Sequence, residues 1–351
     1  MKYLINFKKT LLYKKLLSIF VCPVYEIFWQ YFINFDRKII FIMWKLKHLR
    51  NSNEHNEELK KNFCKLVNKD NDLDVLTQSI NNELNENDLK LSKIIDDEFS
   101  KLKNETRYNV TNSGNQTYKI EIFDFLSSKL KQDILKFAIS DKMISISTDY
   151  LKVFPILNQV KIYKNYPTKF PKRGAMLWHK DDFGYKSLDL FINVSDVDHE
   201  NGPLHVIKKN NPLGVFSKSA HEISNPVIGE RGKIDDKYID EKNNSENISI
   251  VKGQGNGVLI DSFRVYHRGG HCKKKNRIMM RLSYQTKDSL TFKTKENKIN
   301  LIENLNDIDL KKFFIKELVN YKPGVIVNNL KFILMKFYRI LHYKNQNIFK
   351  V

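Results

Sequence analysis

Apolar and polar positions along the chain change their period near residue 153. Before it, apolar residues recur at helical spacing. Residues 1–50 interleave aromatic and aliphatic side chains with lysine, and Leu73, Val75, Leu76 and Ile80 sit at intervals that suit an amphipathic helix. The segment SSKLKQDILKFAISDKMISI opens on a serine suited to an N-cap and predicts a helix. Ahead of it, TNSGNQ predicts a turn and YKIEIFDF a strand. After residue 153 the runs are short, alternating and β-branched. VFPILNQVKIYKN, SLDLFINVSDV, GPLHVIKKN, ISIVKGQGNGVLIDSF and RIMMRLSYQT read as strands separated by NG, NNP and GQGNG turns. Short strands spaced by such turns predict a β-sandwich or barrel. Past Thr286 the helical period returns and ends in the basic amphipathic stretch VIVNNLKFILMKFYRILHY.

This gives a three-part organisation: a helical extension over 1–104, a β domain over 105–290 and a basic helical extension over 291–351. The expected fold class is mainly β with helical extensions. The insert 208–249, rich in Lys, Asn and acidic residues, is expected to lie over the mouth of the β domain.

Charge adds a second pattern. The formal net charge is +20, and it is uneven. Residues 1–50 hold ten Lys/Arg against Glu26 and Asp36, net +8; residues 311–351 hold nine against Glu317, again net +8. Residues 51–100 hold six Lys against twelve acidic residues, net −6. Such basic ends raise anionic membrane or nucleic acid as partners. No zinc-finger or RNA-binding motif accompanies the charge, so nucleic acid is not expected. Pro23 and Glu26 interrupt the most apolar stretch, residues 16–35, so no membrane span and no secretion signal are expected. Peripheral membrane contact through the basic ends is the alternative to packing of those helices on the β domain. Cys22, Cys64 and Cys272 are far apart and form no CxxC pair, which favours a reducing, cytoplasmic compartment.

The candidate chemistry lies in WHKDDFGYKSL. His179 and Asp181 are two apart, and on an extended segment two such side chains point the same way. Two histidines and one carboxylate on one face of a metal bind Fe(II) and leave positions open. His267 ends the apolar run VLIDSFRVYH, where a third ligand from a returning strand is needed; His271 is the alternative. Arg277 and Arg281, four apart on a strand, share a face.

The blocks WHKDD, ENGPLHVIKKNNP, GNGVLIDSFRVYHRGG and RIMMRLSY resemble, in order, those of the phytanoyl-CoA dioxygenase family over roughly residues 150–287. The resemblance implies a double-stranded β-helix (a cupin-like jelly roll) and Fe(II)/2-oxoglutarate-dependent oxygenase activity. His179, Asp181 and His267 would ligate iron. Arg277 or Arg281 would pair with the distal carboxylate of 2-oxoglutarate, because the guanidinium fork suits a planar carboxylate. Ser283 would add a hydroxyl if Arg281 is the one used. A carboxylate at 181, where related halogenases carry a small residue, favours hydroxylation. The implied co-reactants are O2, 2-oxoglutarate and a small-molecule or lipid- or sugar-linked substrate. The competing reading is a non-catalytic jelly-roll binding or membrane-associated protein with a decayed metal site. Trp178 and Phe183 are candidates for a pocket wall or for packing.

Overall fold

The computed structural model describes residues 27, 29–48, 57–86, 93–98, 100, 118–168, 172, 174–179, 181, 186–208, 247–287 and 309–319. Phe183, the TNSGNQ turn, most of the 208–249 insert and the terminal basic stretch after 324 lie outside them.

Two antiparallel sheets carry the site. The larger has six strands in the order β1(Cys64–Val67), β7(Gly257–Ile260), β4(Leu188–Asn193), β9(Arg277–Gln285), β3(Ile156–Asn165) and β2(Lys119–Glu121). The smaller has three: β6(Asn247–Ser249), β5(Leu204–Ile207) and β8(His267–Gly269). A single bridge between His179 and His267 extends the small sheet by one more segment.

Alternation along β9 explains the layering. Ile278, Met280, Leu282 and Tyr284 point one way; Arg277, Met279, Arg281 and Ser283 point the other. Met280, Leu282 and Tyr284 join Leu190 and Ile192 of β4 in a core between the large sheet and the helices. Met279 joins Phe191, Val258, Leu204 and Val206 in a second core between the two sheets. Every charged side chain of β9 therefore faces the space between the sheets.

The apolar outer face of the large sheet needs a covering layer, and helices supply it. They are α1(Phe35–Lys47), α2(Glu57–Asn62), α3(Asn71–Glu86), α4(Ser128–Ala138), α5(Asp141–Leu151) and α6(Asp309–Val319). Leu73, Leu76, Ile80 and Leu84 of α3 are buried, whereas Val75 is exposed. Ser127 and Ser140 cap α4 and α5 by accepting from the Leu130 and Met143 backbone N–H groups, so the expected single helix is two.

The expectation of a mainly β fold is corrected here. Helical residues outnumber strand residues among those described, and the fold is mixed α/β. Nor is it a closed jelly-roll barrel: no strand pairing joins the two open sheets among the described residues. The strands of the small sheet are three or four residues long, too short to wrap and close. The arrangement resembles a double-stranded β-helix core. Residues 1–104 contribute a strand as well as helices, because β1 pairs with β7 along the register Cys64 to Ile260.

Gly202 and Gly257 serve different purposes. Gly202 ends a short 3-10 turn with φ +66°. Gly257 has no positive φ; a side chain there would strike the Phe191 carbonyl.

Candidate metal centre

Three backbone hydrogen bonds seat the segment that holds His179 and Asp181. His179 N–H donates to His267 O (3.0 Å), and His267 N–H returns a bond to His179 O (2.9 Å). Asp181 N–H donates to Ser262 O at 2.8 Å. Residues 88 apart in sequence are thereby locked side by side, with imidazole centroids 4.4 Å apart.

The side chains converge. Nε2 of His179 is 3.7 Å from Asp181 Oδ1, and Nε2 of His267 is 3.7 Å from Asp181 Oδ2. One donor atom from each residue lies within 4.8 Å of the others. The opposite ring nitrogens are already committed. His179 Nδ1 is 2.7 Å from Leu177 O, and His267 Nδ1 is 3.3 Å from Val265 O. A carbonyl only accepts, so each Nδ1 carries a proton, and in the neutral ring each Nε2 keeps a lone pair. This is the tautomer that a metal-ligating histidine requires. Burial lowers the His267 pKa, partly opposed by Asp181, which keeps the ring neutral.

The three residues form a His-Asp-His site compatible with Fe(II) and 2-oxoglutarate.

The two candidate arginines differ in their partners. Arg281 Nη2 donates to Asp181 Oδ2 at 2.9 Å, and its Nε donates to Asp189 Oδ1 at 3.1 Å. Burial disfavours its charge, but Asp189 and Asp181 more than offset this and raise its pKa. Arg277 is also buried, and burial pushes its pKa down. Its Nη1 donates to the Gly202 carbonyl, its Nε has no hydrogen-bond partner, and among the described residues no carboxylate pairs with it. Ser283 is buried, and its Oγ accepts from Gln285 Nε2 at 3.1 Å.

Two neighbours escaped sequence reading. Asp189, fully buried in β4, is the second carboxylate on Arg281. Lys119 of β2 lies over the Tyr163 ring at 4.4 Å. Burial, then the nearby Arg281, Lys161 and Arg277 charges, push its pKa down to about 8, against the pull of Asp181.

Other candidates fall elsewhere. His271 Nε2 is 2.7 Å from Thr168 O and is not in the triad. His205 packs edge-on to Trp178 at 6.1 Å, and burial followed by the Arg268 charge pushes its pKa down to about 4. Trp178 lies under the Arg268 guanidinium at 4.5 Å, so it packs against the small sheet. Cys272 is buried with its Sγ 2.8 Å from Asn201 O.

A buried network holds the loop that seats Asp181. Tyr150 Oη donates to Asp261 Oδ2 at 2.6 Å, and Arg264 Nη1 donates to the same oxygen at 3.4 Å. Phe263 N–H donates to Asp261 Oδ1 at 3.2 Å. Asp261 precedes Ser262, whose carbonyl receives the Asp181 N–H.

No protein-family model matches the chain, and no curated protein matches it in sequence. Among solved structures, it is similar to AviO1 from Streptomyces viridochromogenes Tue57 at 12% identity and TM-score 0.38, over 65% of this chain and 92% of that one. It is similar to EctD from S. alaskensis with 2-oxoglutarate and 5-hydroxyectoine at 15% identity and TM-score 0.39, over 67% and 79%. A third is the epimerase SnoN in complex with Fe3+, alpha ketoglutarate and nogalamycin RO, at 13% identity and TM-score 0.37, over 65% and 81%.

Proposed function

We propose that the chain is an Fe(II)- and 2-oxoglutarate-dependent oxygenase that hydroxylates a small-molecule or lipid- or sugar-linked metabolite. One observation carries the reading: His179 and His267 both point Nε2 at the same carboxylate, Asp181, while each commits its Nδ1 to a backbone carbonyl. Two imidazoles and one carboxylate suit non-haem Fe(II) and leave coordination positions for a chelating co-substrate and O2. His179, Asp181 and His267 would hold the metal.

When bound, Fe(II) with 2-oxoglutarate and O2 supplies an oxidation able to functionalise an unactivated C–H bond, with succinate and CO2 released. The chain's part is placement. Arg277 is the better partner for the distal carboxylate of 2-oxoglutarate, because a buried guanidinium that no carboxylate pairs among the described residues calls for an anion. Arg281 already has two carboxylates, so its task is to fix the Asp181 oxygens. Lys119 adds a second cation on the same interior face. Phe191, with its ring 6.4 Å from His267, gives the site an apolar wall. The carboxylate at 181 supports hydroxylation over halogen transfer.

Anaerobic titration tests the reading. Fe(II) plus 2-oxoglutarate should give a metal-to-ligand charge-transfer band with the wild type and none with His179→Ala/Asp181→Ala. Absence of the band from folded wild type at saturating Fe(II) and 2-oxoglutarate would refute it.

A further inference from the structure

Of the ten large apolar side chains exposed among the described residues, eight lie between Ile27 and Leu46. Six of them form one row. Phe35, Ile39, Ile42 and Leu46 of α1 follow one another at spacings of four, three and four, the a/d repeat of a coiled-coil seam. At helical geometry these four fall within an arc of about 60°. Tyr31 and Ile27 extend the row by fours through the π-helical turn Trp29–Ile33, whose wider period keeps that spacing on one side. Ile40 and Trp44, on the opposite face of α1, are buried in the helical core. The helix is thus already docked on its own chain and turns a second apolar face outward. A helix lying on a globular core normally turns charge toward water, and a contiguous exposed apolar face marks a partner surface.

Width, rim and area identify the partner. A seam of two residues per heptad is the width of one facing helix. A helix resting on an anionic bilayer needs a broad apolar face bordered by cations that are available to lipid. Here the rim charges are engaged within the chain. Asp36 pairs with Lys287 at 2.6 Å, and Lys45 pairs with Asp149. Lys38 is buried and donates to Gln30 and to the Lys152 carbonyl, and Lys47 lies over the Phe314 ring at 5.9 Å. Such a rim does not select an acidic or a basic partner, and it does not repel a copy of itself. With about half of each side chain exposed, the eight residues present on the order of 800 Å² of apolar surface, the share that each partner covers in a stable dimer.

We propose that the exposed seam of α1 is a homodimer interface, seated against the same seam of a second copy of this chain. The contact is isologous, each copy offering the patch that it covers on the other. This stands independently of the metal centre.

The test is light scattering of the full chain as it leaves a gel-filtration column. Wild type should have the mass of a dimer at ~10 μM and above. Ile39→Glu/Ile42→Glu, which puts carboxylates in the middle of the seam, should be monomeric there, a weakening of at least ~30-fold, with the circular dichroism spectrum of wild type. Phe35→Ser/Leu46→Ser, at the ends of the α1 seam, serves if the first variant does not fold. Three results would overturn the proposal. One is wild type with the mass of a monomer at that concentration. Another is a folded variant that remains as dimeric as wild type. The third is a wild-type monomer that floats with phosphatidylcholine vesicles and loses them on substitution, which would assign the seam to lipid.

Discussion

Arg281 Nη2 lies 2.9 Å from Asp181 Oδ2, so a strand arginine holds the carboxylate of the candidate metal centre. The same nitrogen is 3.0 Å from Asp189 Oδ1, and Asp189 is fully buried. Removing the cation leaves Asp189 charged in the interior. Arg281→Met should lose roughly 3–5 kcal/mol of stability in urea unfolding. Arg281→Met/Asp189→Leu should recover part of that loss, because Asp181 alone then lacks the arginine. Equal losses in both variants would show that the pair is not what matters.

Arg277 should behave differently. Arg277→Ala should weaken 2-oxoglutarate binding by roughly 30-fold or more, ~2 kcal/mol or above, and leave Fe(II) affinity near that of wild type. Arg277→Lys should restore only part, since an ammonium lacks the planar fork. Separate calorimetric titrations with the metal and with 2-oxoglutarate distinguish the two effects.

If Lys119 faces the bound co-substrate as proposed, 2-oxoglutarate affinity should depend on pH. With its pKa down at about 8, its charge is present below that pH and lost above it. The 2-oxoglutarate Kd should rise as pH passes from about 7 to about 9. Lys119→Met should bind more weakly throughout and show a flatter profile. A profile unchanged by the substitution would remove Lys119 from the site.

The alternation in RIMMRLSYQ correctly put Arg277 and Arg281 on one face, and the two-residue spacing of His179 and Asp181 correctly put them together. The long-range features were harder to see. β1 and β8 are four and three residues long, shorter than any periodicity can resolve. Their pairing with β7 and β5 comes from tertiary packing. The helical layer was legible as separate helices but not as the cover of a sheet. That role follows from an outer face on which Leu190, Ile192, Met280 and Leu282 all need burying. Asp189 left a usable signal, since a carboxylate inside LDLFIN must meet a cation once buried. Lys119 left one too: Ile120 and Ile122 face the helical core, so by alternation Lys119 falls on the other face of the sheet.

The Tyr150–Asp261 bond anchors the loop behind Asp181. Burial raises the Asp261 pKa, against the pull of Arg264 and of the Tyr150 hydroxyl. Tyr150→Phe should cost roughly 1–3 kcal/mol, read as a lower melting temperature, because a buried carboxylate oxygen loses a donor at little change of volume. A loss within error would place the anchoring elsewhere.

His205 makes stability fall in mild acid. Its folded pKa is pushed down to about 4 from an ordinary 6.5, with burial the main cause. A depressed pKa contributes stability that is present above the unfolded value and lost as pH falls through the folded one. Between pH 6.5 and 4 wild type should lose roughly 1–3 kcal/mol that His205→Gln does not lose. Urea midpoints across that range are the check.

The central claim is that His179, Asp181 and His267 carry Fe(II)/2-oxoglutarate chemistry. The most direct measurement is Fe(II)-dependent conversion of 2-oxoglutarate to succinate under air, without added prime substrate, for wild type and His179→Ala/Asp181→Ala. Slow succinate formation by wild type, abolished in the folded double variant, is the predicted result. Succinate formed equally by both proteins, or by neither at saturating Fe(II) and 2-oxoglutarate, would contradict the claim.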